Sequence, residues 1–506
     1  MFDAVKQEAT DGPQSVELER GAGLEWTSHP LVDMGIATLV AFSARERPEQ
    51  VTRGELEAFA EFTQRALKVA SVRSHASVLF TVNVPYLQPS FPKERQAANA
   101  TELLHSFERP FPAEHALCTY CGRPALRLGT ESGRAYRELI PLITGQGVVN
   151  FVPYGLHGLS LCGLCVLALQ ALVIGAPNSE GRALIVSADE PEQLVALIRA
   201  WLPDLKKRIQ LSEISGAKVD TWKAPRTRLV ERLVDLERND RLSGHSSGFT
   251  VYHASNSGQG PSLDIYTLSA PAVAFARRAQ AAAYHQAWQA LTARAWRDAK
   301  YKVASREPTD EERPSWHNPF YESLFRLPSG AAAFVRVWLR KPQAAVLKTS
   351  LAGDYVAMWS LTELFLEEVL GMDQRRIDAI RRLGDALAQE IVGNNDRPLG
   401  RRVVQAMRYP TVRQLLLGVS ARRLKRGETP ILGFDEFLLV FEEGEDLPRR
   451  DWRLAWDLTL IRLTDQLYHQ WHGKHDEALQ DLASVGQEKL EDNDDEMLPS
   501  GVRSDE

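Results

Sequence analysis

All four cysteines of the chain fall into two pairs of identical spacing, Cys118-Thr-Tyr-Cys121 and Cys162-Gly-Leu-Cys165. A C-x-x-C turn brings two thiolates to one cation from the same side, and two such turns complete a tetrahedral sulfur shell. Zn2+ accepts four thiolates without a geometric penalty, so the expected chemistry is a structural zinc site. With every position filled by sulfur, no place is left for water or substrate. The same residues admit two disulfides, a redox C-x-x-C or inert buried thiols. Disulfides suit an exported protein, yet Met-Phe-Asp-Ala-Val-Lys-Gln-Glu at the start has no basic stretch leading into an apolar core. A redox role for one pair leaves the other unexplained. Residues 122–161 make a longer gap than a simple ribbon needs, so a substructure is expected between the knuckles.

No other chemistry-bearing pattern stands beside the cysteines. The chain has no G-x-x-x-x-G-K-[ST] loop, no H-E-x-x-H and no G-x-S-x-G. Gly145-Gln146-Gly147 is too short to read as a phosphate cradle. His115 precedes a sulfur set that is already complete. His29 and His157 fall in loops with no carboxylate set beside them by spacing. The reading is therefore a protein that is not an enzyme.

A length of 506 residues suggests two to four domains, and 44% apolar residues is ample for buried cores. No stretch is long and apolar enough to read as a membrane span, so the expectation is a soluble, cytoplasmic protein with no membrane partner. The net charge of −6 conceals strong segregation. Glu488 to Glu506 holds eight acidic and two basic residues, whereas Met372 to Arg426 holds 13 basic and 5 acidic. A concentrated basic block in an otherwise neutral chain is compatible with nucleic-acid contact.

The elements that must position these residues read as an α+β chain. Trp26 to Gly35 predicts a turn leading into an apolar helix through Phe42. Thr52-Arg53-Gly54-Glu55 predicts a capping box opening a second helix. Ser77 to Val84 reads as a strand, and three prolines within Pro85 to Pro92 exclude regular structure after it. A short strand is expected over Val148 to Val152, a buried helix over Leu161 to Gly175, and a strand over Ala183 to Ser187. Leu194 to Ile209 predicts an amphipathic helix. Phe249 to His253 and Leu263 to Leu268 predict a hairpin joined by the Gly- and Asn-rich segment between them. Beyond about Ser350 the apolar residues recur at helical spacing: Leu366 to Ile391, broken by Gly393 to Pro398, then Val403 to Leu417, Phe434 to Phe441 and Trp452 to Trp471. The organisation expected is a mixed region over 1–345 carrying a zinc-ribbon-like insert at 118–165, an all-helical bundle over 346–480 and a disordered acidic tail over 481–506.

Five pieces in combination carry a resemblance: Trp26 to Gly35, Pro85-Tyr86-Leu87-Gln88-Pro89-Ser90-Phe91, the C-x-x-C-Gly at Cys118, the insertion from Leu139-Ile140-Pro141-Leu142-Ile143-Thr144-Gly145 to Pro153, and Leu161-Cys162-Gly163-Leu164-Cys165. Together they resemble the CXXC–CXXC CRISPR-associated proteins, the large subunit of type I-B Cascade effector complexes. The likeness is sharpest over residues 24–175 and rests beyond that on length and the change to a helical bundle.

The resemblance implies a non-enzymatic subunit that binds the 5′ handle of the CRISPR RNA and contacts other Cascade subunits. It implies recognition of a protospacer-adjacent motif in target duplex DNA, support of R-loop opening, and a hold on the displaced single strand. A helicase-nuclease acts downstream, or transposition proteins in some relatives. In such complexes base pairing reads the sequence while protein reads the short motif. Small and amide residues on loop tips suit groove contact, which makes Asn83, Gln88, Gly145, Gln146, Gly147 and Asn150 the candidate motif readers. Capping of turns is the competing role for those amides. Lys93, Arg95, Arg123 and Arg127 are the nearest cations for phosphate. In the bundle, Arg401, Arg402, Arg408, Arg413, Arg422, Arg423, Lys425 and Arg426 are candidates for gripping single-stranded DNA, some being expected to pair with acidic neighbours instead. The bundle also resembles the small Cascade subunit, with Met358 and Met372 near its start. Two rival readings are a free-standing zinc-ribbon DNA-binding accessory factor and a metal-dependent hydrolase.

Overall fold

A computed structural model describes residues 21–81, 84–109, 116–128, 133–136, 138–141, 158–219, 221–238, 246–256, 262–298, 302, 306–341, 343, 355–443 and 447–494, with the side chains of 486–494 excepted. The chain divides into two compact units, Met1–Ala270 with Pro308–His317, and Pro271–Glu307 with Asn318–Glu506. The second unit thus takes in the helices between Pro271 and Glu307 and those from Asn318 onward.

The first unit runs α1 (Pro30–Phe42), α2 (Arg53–Ala66), α3 (Ala70–Phe80), α4 (Lys93–Leu104), α5 (Gly163–Gly175), β1 (Asn178–Ser179), β2 (Arg182–Ala188), α6 (Pro191–Ser215), α7 (Pro225–Arg238), β3 (Phe249–Ser255) and β4 (Ser262–Leu268). Helix α1 begins at Pro30, with Asp33 accepting bonds from the amide and hydroxyl of Thr27 at 2.7 Å each. The capping box of α2 forms as expected: Thr52 Oγ1 accepts from the Glu55 amide and Glu55 Oε2 accepts from the Thr52 amide. The four strands make one antiparallel sheet in the order β1-β2-β3-β4, with Phe249 opposite Leu268 in the expected hairpin.

Helix α5 is apolar on every side and buried almost throughout, which marks it as the core of this unit. Helix α1 lies against it so closely that a Cβ on Gly35 would sit 1.8 Å from the carbonyl oxygen of Ala168. The carbonyls freed at the end of α5 find side-chain donors: Trp201 Nε1 donates to Gly175 O at 3.0 Å, and His75 Nε2 bonds Ala176 O at 2.8 Å. Complete burial lowers His75 to about 4, so at pH 7 its imidazole is neutral.

One expectation fails in this unit. The strand expected over Ser77 to Val84 is not found at its start: Ser77 to Phe80 end the helix Ala70–Phe80, and Val82 and Asn83 lie outside the described residues. The apolar run Val78-Leu79-Phe80 has no period of its own, but Val72, Ala76, Leu79 and Phe80 are buried together, and that spacing is a helical stripe. Helix α6 extends the expected 194–209 segment in both directions, from Pro191 to Ser215. The strand expected at 148–152 lies outside the described residues.

The second unit is helical, with no strand among its described residues: α8 (Ala270–Arg278), α9 (Ala282–Ala295), α10 (Pro319–Ser323), α11 (Ala331–Phe334) passing into π-helical Val335–Arg340, α12 (Trp359–Glu368), α13 (Gln374–Gly393), α14 (Arg397–Gln405), α15 (Tyr409–Lys425), α16 (Phe434–Phe441), α17 (Trp452–Trp471) and α18 (Asp476–Asp494). The periodic stretch from 366 to 391 is two helices, because Gly371 takes a positive φ of 55° and Asp373 caps a new start through its bond from the Arg375 amide. The 403–417 stretch also splits, with Pro410 in the first turn of α15. Helix α18 continues to Asp494 where a loose tail was expected from 481, and 495–506 lie outside the described residues. Its early turns are fixed against α14, where Arg401 pairs with Asp481 at 2.7 Å. In the centre of this unit Asp457 of α17 is buried between Arg336 and Arg340. Asp465 accepts from the amides of Met358 and Trp359, so one helix caps the start of another, and burial raises its carboxyl. No helix of the described residues is long and apolar enough to cross a membrane.

Candidate metal centre

The two knuckles are built by different local means. In the first, Cys118 N donates to Arg123 O at 2.6 Å and Gly122 N donates to Cys118 O at 2.9 Å, closing a tight turn in which Gly122 has a φ of 73°. Short bridges hold that turn to the chain entering the second knuckle: Leu126 pairs with Leu161, and Thr119 N donates to Ser160 O at 2.9 Å. The second knuckle is the start of α5. Cys162 is the N-cap, and its sulfur accepts from the Cys165 amide at 3.5 Å. A 3₁₀ turn, Ser106–Glu108, grips this start from outside. Ser106 Oγ donates to Gly163 O at 2.8 Å, and a Cβ on Gly163 would lie 2.1 Å from Ser106 O, so the position takes no larger residue.

These constraints bring all four sulfurs within 4.8 Å of one another. None is in a disulfide, and the Cys121–Cys162 separation of 3.4 Å is well beyond a bonded length of ~2.05 Å. A tetrahedron with metal–sulfur bonds of ~2.3 Å has edges of ~3.8 Å, so the set fits a zinc-sized cation. Cys118, Cys162 and Cys165 are buried and Cys121 is half-buried. The electrostatics agree with that fit. Hydrogen bonds from its neighbours hold Cys118 far below an ordinary thiol, while the same sharing pushes Cys162 up to about 12 and Cys165 higher still. Four sulfurs this close carry full thiolate charge together only with a cation among them. The ring of Tyr120 lies 4.4 Å from that of His29, and burial followed by the charge of Cys118 and Cys165 raises its phenol. Beside Cys162 a cavity of about 320 Å3 is lined by Arg53, Arg109 and Arg123. All three arginines are engaged, Arg53 with Glu57 at 3.9 Å, Arg109 with Glu102 at 3.0 Å and Arg123 with Glu25 at 2.9 Å.

The remaining expected contact residues are scattered. Asn83, Gly145, Gln146, Gly147, Asn150, His115 and His157 lie outside the described residues. Gln88 is half-buried in the turn before α4, where its carbonyl accepts from the buried Gln96 at 2.8 Å. Lys93 starts α4, Arg95 stacks over Phe91 at 3.8 Å and Arg127 lies near Gly133. In the second unit most of the basic block is internally paired. Arg413 meets Glu442 at 3.3 Å, Arg422 meets Asp396 at 3.0 Å, Arg423 meets Glu390 at 2.6 Å, and Arg426 meets Glu390 at 2.8 Å and Glu428 at 2.7 Å. Arg402, Arg408 and Lys425 are exposed. Reading by sequence missed Arg65, Lys68 and Arg73, which line a cavity with Lys93. Their spacing carries no motif that would have found them.

Comparison with protein-family models, curated proteins and solved structures gave no match.

Proposed function

We propose that the four cysteines hold one structural Zn2+, and that the chain is the large, non-catalytic subunit of a type I-B Cascade-like, RNA-guided DNA-binding complex. The observation that carries the reading is the convergence of two distant knuckles on one four-sulfur cluster. The cluster closes the two ends of the long inserted segment against the buried helix α5, giving that segment a rigid base. A metal with four sulfur ligands has no open position, so its role is to hold shape. Shape is what a subunit needs if it probes a DNA groove and leaves sequence reading to a guide RNA. On this reading the partners are CRISPR RNA, target duplex and its displaced strand, and neighbouring Cascade subunits. A helicase-nuclease or transposition proteins act downstream.

The test is co-purification. The tagged chain is isolated from a host that encodes the complex, bound RNA is sequenced, and co-isolated proteins are identified by mass spectrometry. Repeat-bearing RNA together with backbone subunits is the expected result. A metal-loaded chain recovered alone, which binds duplex DNA with sequence preference and without RNA, overturns it in favour of a free-standing DNA-binding factor.

A further inference from the structure

In the first unit, α2, α4 and the turn between Val84 and Pro92 border a cavity of about 550 Å3. Its walls carry Arg65, Lys68, Arg73 and Lys93, with the amides of Gln64 and Gln96, and among the described residues no acidic one lines it. The size is that of a small-ligand site. Arg65, Lys68 and Lys93 are exposed and have no ion pair among the described residues. Four cations around one concavity repel each other and concentrate positive potential there, and an anion relieves both.

The cavity is also organised. Gln96 is buried, and its Oε1 accepts from Arg73 Nη2 at 3.1 Å while its Nε2 donates to Gln88 O at 2.8 Å and Phe91 O at 3.0 Å. One amide thus fixes both the guanidinium and the turn beside it. Tyr86 is buried at the floor with its hydroxyl donating to Gln170 Oε1 at 3.0 Å, and burial raises its phenol, so it stays neutral. Leu67 and Ala97 complete an apolar wall. A cationic rim over an apolar wall offers charge to a phosphate on one side and apolar surface to the rest of the ligand on the other.

We propose that this cavity binds one or two nucleotides of a single-stranded nucleic acid. Arg65, Lys68 and Lys93 meet the phosphates, and Arg73, held by Gln96, sets the register. The choice of a strand over a free anion rests on the nucleic-acid role proposed above. The cationic character of the cavity does not.

The test uses the full chain and a fluorescent single-stranded RNA of roughly ten nucleotides, within the usual site size of such proteins. DNA of the same sequence forms the second arm, and inorganic pyrophosphate is the small-anion probe. The variant is Arg65→Gln with Lys68→Gln and Lys93→Gln, all at exposed positions. The control is Lys207→Gln with Lys218→Gln and Lys474→Gln, three exposed cations outside both basic regions. Expected is at least tenfold weaker strand binding by the first variant and a salt slope smaller by about 2, three phosphate contacts having been removed, with a lesser loss for the control. Arg73→Lys keeps the charge but loses the bond to Gln96, and is expected to fall between wild type and the triple variant. Preference for RNA or for DNA identifies which strand occupies the cavity, and either supports the proposal. If the wild type binds strands and the triple variant binds them as well, the cavity is overturned and the nucleic-acid reading stands. If no strand binds but pyrophosphate raises the melting temperature of the wild type and not of the variant, the site takes only small anions and the strand proposal is overturned. If neither strand nor pyrophosphate binds, the cavity proposal is overturned and the nucleic-acid reading loses its support in the first unit.

Discussion

The two basic regions of this protein invert what a count of charges along the chain predicts. Residues 372–426 hold 13 basic and 5 acidic residues, yet Arg422, Arg423 and Arg426 are paired with Asp396, Glu390 and Glu428. The cavity in the first unit draws Arg65, Lys68, Arg73 and Lys93 from separate stretches that no charge count singles out, and among the described residues no carboxylate lines it. An ion pair removes most of the far field of both members, while unpaired cations around a concavity reinforce one another. Where positive potential survives is thus decided by pairing in three dimensions, and only secondarily by how many arginines occur in a row.

The largest effect should come from the metal centre, because the cationic cavity depends on it. Helix α4, which forms one wall, leads into the Ser106–Glu108 turn that grips Gly163 at the start of α5. Binding of a structural zinc is worth on the order of 10 kcal/mol in free zinc-finger peptides. Replacing Cys118 and Cys165 by serine, or stripping the ion with a strong chelator, should abolish one zinc per chain by elemental analysis. Hydrogen-exchange protection should then fall in residues 116–126 and the first turn of α5, and strand binding by the cavity with it, while α13 and α17 of the second unit keep theirs. Metal content unchanged in the double variant would refute the four-sulfur site. Equal loss of protection in both units would erase the contrast between them.

A smaller effect is expected from releasing the arginines of the second unit. Glu390 is buried and accepts from Arg423 at 2.6 Å and from Arg426 at 2.8 Å. Glu390→Gln removes the buried carboxylate that Arg423 and Arg426 share and leaves both on Glu428 alone, at 3.6 Å and 2.7 Å. Removing one member of a buried pair costs about 3 kcal/mol, measured here by urea unfolding. The same change should steepen the salt dependence of strand binding by about one phosphate's share, since one net positive charge is freed on this face. A variant that is destabilised but binds with the wild-type salt slope would show that this face of the bundle does not meet nucleic acid.

Much of this was legible in the sequence, for reasons that can be assigned. The Thr52–Glu55 box, the Phe249–Leu268 hairpin and the four-cysteine cluster each depend on residues whose types and intervals leave few alternatives. The helix at Ala70–Phe80 was misread because a short apolar run looks the same in both regular structures until its burial partners are known. The long helices at 366–391 and 403–417 were too long for a similar reason: the apolar period continues across Gly371 and Pro410, and only the backbone shows the break. Of the cationic cavity only Lys93 was legible, and its companions were not. Arg65 lies in the last turn of α2, Arg73 in α3 and Lys93 at the start of α4, so packing alone makes them neighbours.

The smallest effect should separate paired from unpaired cations within a single helix. Arg422 and Lys425 both lie in the last turn of α15 and both are exposed, but Arg422 is engaged by Asp396 at 3.0 Å, whereas Lys425 has no ion pair among the described residues. An exposed pair of this kind contributes at most ~1 kcal/mol, so Arg422→Gln should leave the melting temperature nearly unchanged. It should also leave the salt slope of strand binding nearly unchanged, because Asp396 already neutralises that guanidinium. Lys425→Gln should instead lower the slope by about 0.7, the share of one phosphate on a single strand. Equal slopes for the two variants would mean that the Arg422–Asp396 pair opens when nucleic acid arrives. In that case the contrast between the two basic regions would hold for the free protein and not for the complex.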